Sequence, residues 1–261
     1  MLGTNIDIMR PLPEYTQEFV VRPEKVYKFF RLDDNFKNGI KNSYLWFSSP
    51  NDFNDPFDNN PEMVSIEPTE KYIRDFFERH KVDDKVNRAE RRKAMHNAIR
   101  DKHSVKDALR ETLKEGFAKR GICCFSTYNT NILMWSHYAD KHQGVCLQFD
   151  TRLLPLEFVF LRVKYVSEFE KLSYEDEPER AILAAQTTKH EDWDYEEELR
   201  ILMDKNGACL FPKSALKEVV FGCRSSKSDE IEVKKIISDS GYKVAFKRAR
   251  QVPKKFKIEI K

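Results

Sequence analysis

A chain of 261 residues, 40% hydrophobic and 12% aromatic, has enough apolar side chain for a real core in one large domain. No apolar run approaches the roughly 18 residues that span a bilayer, which excludes a membrane helix and predicts a soluble cytoplasmic protein. The net charge of +3 is too small to argue for nucleic acid by itself, and five cysteines without metal spacing predict buried, reduced thiols and no metal.

Residues 1–22, with Pro11 and Pro13, read as an arm or a short lead-in strand. Val26 to Arg31 follows as an aromatic strand alternating with basic residues. Asp33 and Asp34 suit a helix start, Gly39 and Asn42 its stop, and Tyr44 to Ser48 a second strand ending at the Pro50-Asn51-Asp52 turn. From Pro68 to Arg120 apolar residues recur at three- and four-residue spacing (Ile73, Phe76 and Phe77, then Leu109, Leu113 and Phe117). That spacing predicts a helical insertion, 68–120, holding at least two amphipathic helices within a single 1–261 domain.

Gly121 to Asp150 then places two apolar strands around a Ser-Thr corner and a Trp135-Ser136-His137-Tyr138 cluster. Aromatic and polar groups mixed in this way read as a pocket wall better than as plain core. Further strands are predicted over Phe158 to Val166, Glu196 to Met203, Val219 to Gly222, Val244 to Phe246 and Phe256 to Ile260, with helices over Glu175 to Lys189 and Ser228 to Ser240. Irregular interleaving of strands and helices predicts an α+β fold with a mixed, largely antiparallel β core.

Charge is distributed unevenly. Sixteen Lys/Arg stand against ten Asp/Glu between Pro68 and Arg120, and eight against one between Lys243 and Lys261. Solvated helix faces account for this in the simpler reading; a nucleic-acid or phosphorylated partner is the alternative.

The chemistry-bearing candidates fall in four places. Glu196 and Glu198 share a face on a strand, with Arg200 next on that face, so one carboxylate is able to hold a ribose hydroxyl or activate a nucleophile. The alternative is a solvated edge strand. His137 beside Tyr138 is more often a hydrogen-bonded structural histidine than a catalyst. Asn54 and Asp55, in Phe53-Asn54-Asp55-Pro56-Phe57-Asp58, form either a structural turn or the lining of a polar pocket. Tyr27, Lys28 and Arg31 offer an anion contact, arginine being the better bidentate phosphate ligand. The chain has no glycine loop of the phosphate-binding kind.

Taken in order, the boxes YKFFR, LWFSSPNDFNDPFD, CFS, MWSHYADKHQGVCLQFD and YEEELRI resemble a large uncharacterised bacterial family with Asn-Asp-Pro-Phe and Trp-x-His-Tyr-Ala signatures. The same order is similar to that of NAD-dependent ADP-ribosyltransferases: a basic residue on the first strand, a Ser-Thr corner and a late Glu-x-Glu. This second resemblance implies that Arg31 (or Lys28) holds the pyrophosphate of NAD and Ser126 orients the nicotinamide ribose. It implies further that Glu198 stabilises the oxocarbenium-like centre, Glu196 orients the acceptor, and Trp135 or Tyr138 stacks on nicotinamide. A bacterial toxin or phage-defence setting belongs to the same implication. Tyr128 departs from the pattern, standing where a serine is expected after Ser126-Thr127. The competing reading is a non-catalytic nucleotide or nucleic-acid binding module, using the basic helical segment and the Lys-rich C-terminus.

Overall fold

Alternating large apolar residues decide which way the central strands face, and the computed structural model, which describes residues 14–79 and 87–261, carries the resulting sheet. In chain order the first strands are β1 (Val20–Val21), β2 (Lys25–Phe30), β3 (Tyr44–Phe47), β4 (Val64–Ser65), β5 (Gly121–Ser126), β6 (Val145–Asp150), β7 (Phe160–Arg162) and β8 (Lys164–Val166). They continue as β9 (Leu172–Ser173), β10 (Thr188–His190), β11 (Glu198–Met203), β12 (Gly207–Leu210), β13 (Leu216–Phe221), β14 (Ala245–Gln251) and β15 (Ile258–Ile260). The helices are α1 (Asp34–Asn42), α2 (Glu70–Arg79), α3 (Arg88–Arg100), α4 (Lys102–Lys119), α5 (Ile132–Tyr138), α6 (Pro178–Thr187) and α7 (Lys227–Asp239).

Nine strands form one sheet in the order β1-β7-β11-β5-β2-β6-β13-β14-β15. Only β13 and β14 run parallel; the other neighbours are antiparallel, so the fold is α+β with a mixed, largely antiparallel sheet. Along β6, Val145, Leu147 and Phe149 enter a large core under α1 and α7, with Phe36, Ile40, Val233 and Ile237. Cys146 points the other way, into a second cluster with Tyr27, Phe29, Met134 and Trp135. Burial of each large apolar side chain contributes roughly 1.5–3 kcal/mol, so the two-residue period holds the register firmly. The same alternation on β11 and β5 sends Leu199, Ile201, Cys123 and Phe125 into the large core. Glu198, Arg200, Cys124 and Ser126 are thereby turned to the second face.

Helix α1 starts where predicted: the Asp33 side chain accepts from Phe36 N at 2.9 Å, and Ser43 closes the helix in the left-handed region. Helices α2, α3 and α4 occupy the predicted helical segment, whose residues 80–86 lie outside the described residues; of the predicted lead-in 1–22, residues 1–13 lie outside them too, and the rest carries the short strand β1. Leu113 and Phe117 of α4 pack with Met63, Ile66 and Ala185 in a third cluster, whereas α3 buries no residue.

Several boundaries differ from the sequence reading. The predicted strand from Phe158 to Val166 breaks at Val163 into β7 and β8, which belong to different sheets. The helix predicted through Lys189 ends at Thr187, and Lys189 lies on β10. Glu196 is not on a strand: a 3-10 turn spans Glu191–Glu196, Glu197 adopts φ 42°, and β11 begins only at Glu198. Phe256 belongs to the turn before β15 rather than to the strand. Of the cysteines, Cys123 and Cys146 are buried as expected, but Cys124, Cys209 and Cys223 are only half-buried.

Candidate active site

Strand register assembles the site's floor. Glu198 pairs with Ser126, Ser126 with Tyr27, and Tyr27 with Gln148, so these positions form one row across four adjacent strands. Neighbours in such a row lie within side-chain contact of one another. Strands β2 and β5 share only the Tyr27–Ser126 pair, and beyond it Lys28 Nζ donates to the Cys124 carbonyl at 2.9 Å. Where the strands part, a cavity of about 360 Å³ is lined from both of them. That volume matches an ordinary small-ligand site.

The predicted residues Tyr27, Lys28, Arg31, Asn54, Ser126, His137, Tyr138, Glu196 and Glu198 all line this cavity. Two others do not. Trp135 is 0% exposed, packs edge-on against Phe29 at 5.2 Å, and donates its indole N–H to the Asn129 carbonyl, so its ring is core. Asp55 accepts from Phe57 N and lines a neighbouring cleft instead, because the loop turns it away from the sheet. The short helix α5 explains the sorting: its N-cap Asn131 accepts from Leu133 N and Met134 N, and one face seats Met134 and Trp135. His137 and Tyr138 are left toward the opening. The Tyr195 hydroxyl lies 3.4 Å from His137 Nδ1, a long contact that orients the imidazole ring.

Behind the floor lies a buried charge network. Arg200, with no exposed surface, donates Nε to Glu198 Oε1 at 2.7 Å and Nη2 to Glu198 Oε2 at 2.9 Å. Its other edge meets Asp58 at 2.8 and 2.6 Å and the Gln186 carbonyl at 2.8 Å. Lys189 Nζ donates to Glu196 at 2.6 Å and sits 3.4 Å from Glu198 and 3.6 Å from Asp58. The Tyr138 hydroxyl donates to Glu196 Oε1 at 2.5 Å. The Tyr165 hydroxyl accepts from Glu198 N at 2.9 Å, and the Trp193 ring covers the Lys189 ammonium. Glu198 and Arg200 are thus paired and enclosed, which overturns the solvated-edge alternative.

Three carboxylates facing two cations leave one surplus negative charge, and the two glutamates divide it unequally. For Glu198, burial works against ionisation, but Arg200 and Lys189 outweigh it and hold the carboxyl down to about 2. For Glu196, burial and the Glu198 charge dominate over Lys189 and raise the carboxyl above its ordinary value. Burial first, then Glu196, push the Tyr138 phenol well up, so it remains a donor. Lys189 is raised despite its burial, because Glu198, Glu196 and Asp58 all hold the ammonium form. Two carboxylates pushed apart in this way suit an acid–base group (Glu196) and a permanent anion (Glu198).

Sequence reasoning missed Lys189 and Tyr165 and passed over Asp58. The available signals were weak: Asp58 stands in the Phe53–Asp58 box, and Lys189 lies between threonines and a histidine. Among the described residues no group of acidic, histidine or cysteine side chains is arranged to hold a metal ion.

A family model described as a protein of unknown function (DUF2971) matches residues 134–201. The matched span runs from α5 to β11 and includes His137, Tyr138, Lys189, Glu196, Glu198 and Arg200, but not Tyr27, Lys28, Arg31 or Ser126. Neither curated proteins nor solved structures yield a match to the chain.

Proposed function

We propose that this chain is an NAD-using enzyme of the ADP-ribosyltransferase type, with the nicotinamide ribose over the Glu198–Ser126–Tyr27 row. The observation that carries this reading is the row itself: a hydroxyl and a carboxylate on adjacent strands at the floor of one cavity, with Lys28 and Arg31 at its wall. The cations suit a pyrophosphate, and the carboxylate end suits a ribosyl centre that gains positive charge.

In this reading the bond between ribose C1′ and the nicotinamide nitrogen breaks, and its electron pair leaves with neutral nicotinamide. Glu198, ionised throughout the physiological range, supplies negative potential to the cationic sugar. An acceptor oxygen or nitrogen, or water, forms the new bond to C1′. Its proton passes to Glu196, whose raised affinity for protons and contact with Tyr138 suit it to act as the general base.

A second reading has one specific observation in its favour. Both Glu198 oxygens are occupied by Arg200 and Lys189, as a purely structural carboxylate would be. On that basis the cavity is a nucleotide receptor without turnover.

Incubation with NAD while following nicotinamide release separates the two. The enzyme reading expects release above the buffer blank, a drop of about 100-fold in Glu198→Gln, and loss of the acidic limb of the pH profile in Glu196→Gln. Release equal to the blank, with NAD binding detected by calorimetry, leaves the receptor. Failure of both measurements removes NAD from the account.

A further inference from the structure

The C-terminal hairpin carries charge and an aromatic ring that the fold itself does not use. Strands β14 and β15 pack their inner residues Ala249 and Ile258 into the same cluster as Trp135 and Tyr27. Their connecting turn is closed by Val252 N to the Lys257 carbonyl at 2.9 Å and Lys255 N to the Val252 carbonyl at 3.1 Å. Phe256 stands on this turn with its side chain 100% exposed, flanked by exposed Lys254, Lys255 and Lys257.

The hairpin's cations divide into two sets. Lys247 pairs with Glu218, Arg248 with Glu230, and Lys261 with Glu259. Among the described residues no acid pairs with Arg250, Lys254, Lys255 or Lys257. The paired set belongs to the fold, whereas Lys254, Lys255 and Lys257 of the unpaired set flank Phe256, a fully exposed ring. A fully exposed phenylalanine gains nothing from burial in the folded chain, and the three unpaired lysines beside it repel one another. A partner that relieves both must be polyanionic and offer flat apolar surfaces.

We propose that this hairpin tip binds single-stranded nucleic acid, with Phe256 stacked on an unpaired base and Lys254, Lys255, Lys257 and Arg250 on the flanking phosphates. Base stacking needs only one ring and is the general device of single-strand binders. The exposed tip residues other than Phe256 are proline or lysine, so it lacks the apolar area that insertion into a lipid interface requires. The tip also leaves the sheet on the side to which β2 leads. Phe30, Val145, Phe221 and Arg248 form one row, with Arg31 directly after the first and the tip a few residues after the last. A strand held there lies at the end of the sheet where Arg31 lines the cavity. The inference stands whether or not the chain uses NAD.

Fluorescence anisotropy of the full chain with a labelled 20-nucleotide oligo(dT), at several salt concentrations, tests it. Phe256→Ala is expected to weaken binding about fivefold to a hundredfold with an unchanged melting temperature, since the ring is unpacked. Replacing Lys254, Lys255 and Lys257 together by alanine is expected to lower the slope of log affinity against log salt by about 2. The proposal is overturned by no binding at low salt, by wild-type affinity and salt dependence in both variants, or by binding to phosphatidylserine vesicles but not to the oligonucleotide. Equally tight binding of duplex DNA that Phe256→Ala leaves unchanged also overturns it, by removing the stacking.

Discussion

Arg200→Met is the sharpest perturbation of the buried network. The substitution keeps side-chain bulk but removes a guanidinium that serves Glu198, Asp58 and the Gln186 carbonyl. Asp58, Glu196 and Glu198 then face Lys189 alone. Removing one partner of a buried pair costs about 3–5 kcal/mol, because the partner's charge stays behind without compensation. Titration leads to a similar figure. Glu198 is held at about 2 against an ordinary 4.5, and at 1.4 kcal/mol per tenfold change in proton affinity that displacement, to which Arg200 contributes most and Lys189 next, is roughly 3 kcal/mol.

The sign follows from the direction. A carboxyl depressed in the folded state adds stability above its unfolded value of 4.5, and that contribution drains away as pH falls to about 2. Urea unfolding at pH 7 is therefore expected to show Arg200→Met less stable by about 3–5 kcal/mol. Below pH 4.5 the gap is expected to narrow, since protonated carboxyls no longer need the guanidinium. Arg200→Lys, which keeps the charge without the fork, should lose less. A loss under about 1 kcal/mol at pH 7, or a gap indifferent to pH down to the acid limit of the folded state, refutes the reasoning.

Two further expectations concern packing. Trp135→Ala removes a ring with no exposed surface and should cost about 3–5 kcal/mol in denaturant unfolding; a cost below about 1 kcal/mol would show that the ring is not core. Gly144 and Gly116 should answer opposite ways to alanine. At Gly144 a Cβ would stand 2.0 Å from the Phe30 carbonyl oxygen, forcing backbone to move, whereas at Gly116, on the exposed face of α4, it meets nothing within 4 Å. Gly144→Ala should lower the melting temperature, and Gly116→Ala should raise stability by about 0.5–1 kcal/mol; the reverse order contradicts the assigned backbone.

The local signals in the chain were enough for the α+β class, for most strand positions, and for a pocket near Ser126, Tyr138 and the two glutamates. Those signals are periodic: β6 alternates faces residue by residue, and α1 opens on an Asp cap. What no local pattern carried is the identity of the partners. Asp58 reaches Arg200 across 142 residues, and Lys189 on β10 meets Glu196 through the 3-10 turn Glu191–Glu196 that lies between them. Trp135 and Tyr138 look alike in sequence, yet one is core and the other faces the cavity. Tertiary packing alone chose between them, because burial and charge compensation depend on which segments converge in space, and that is set by the whole sheet rather than by neighbours along the chain.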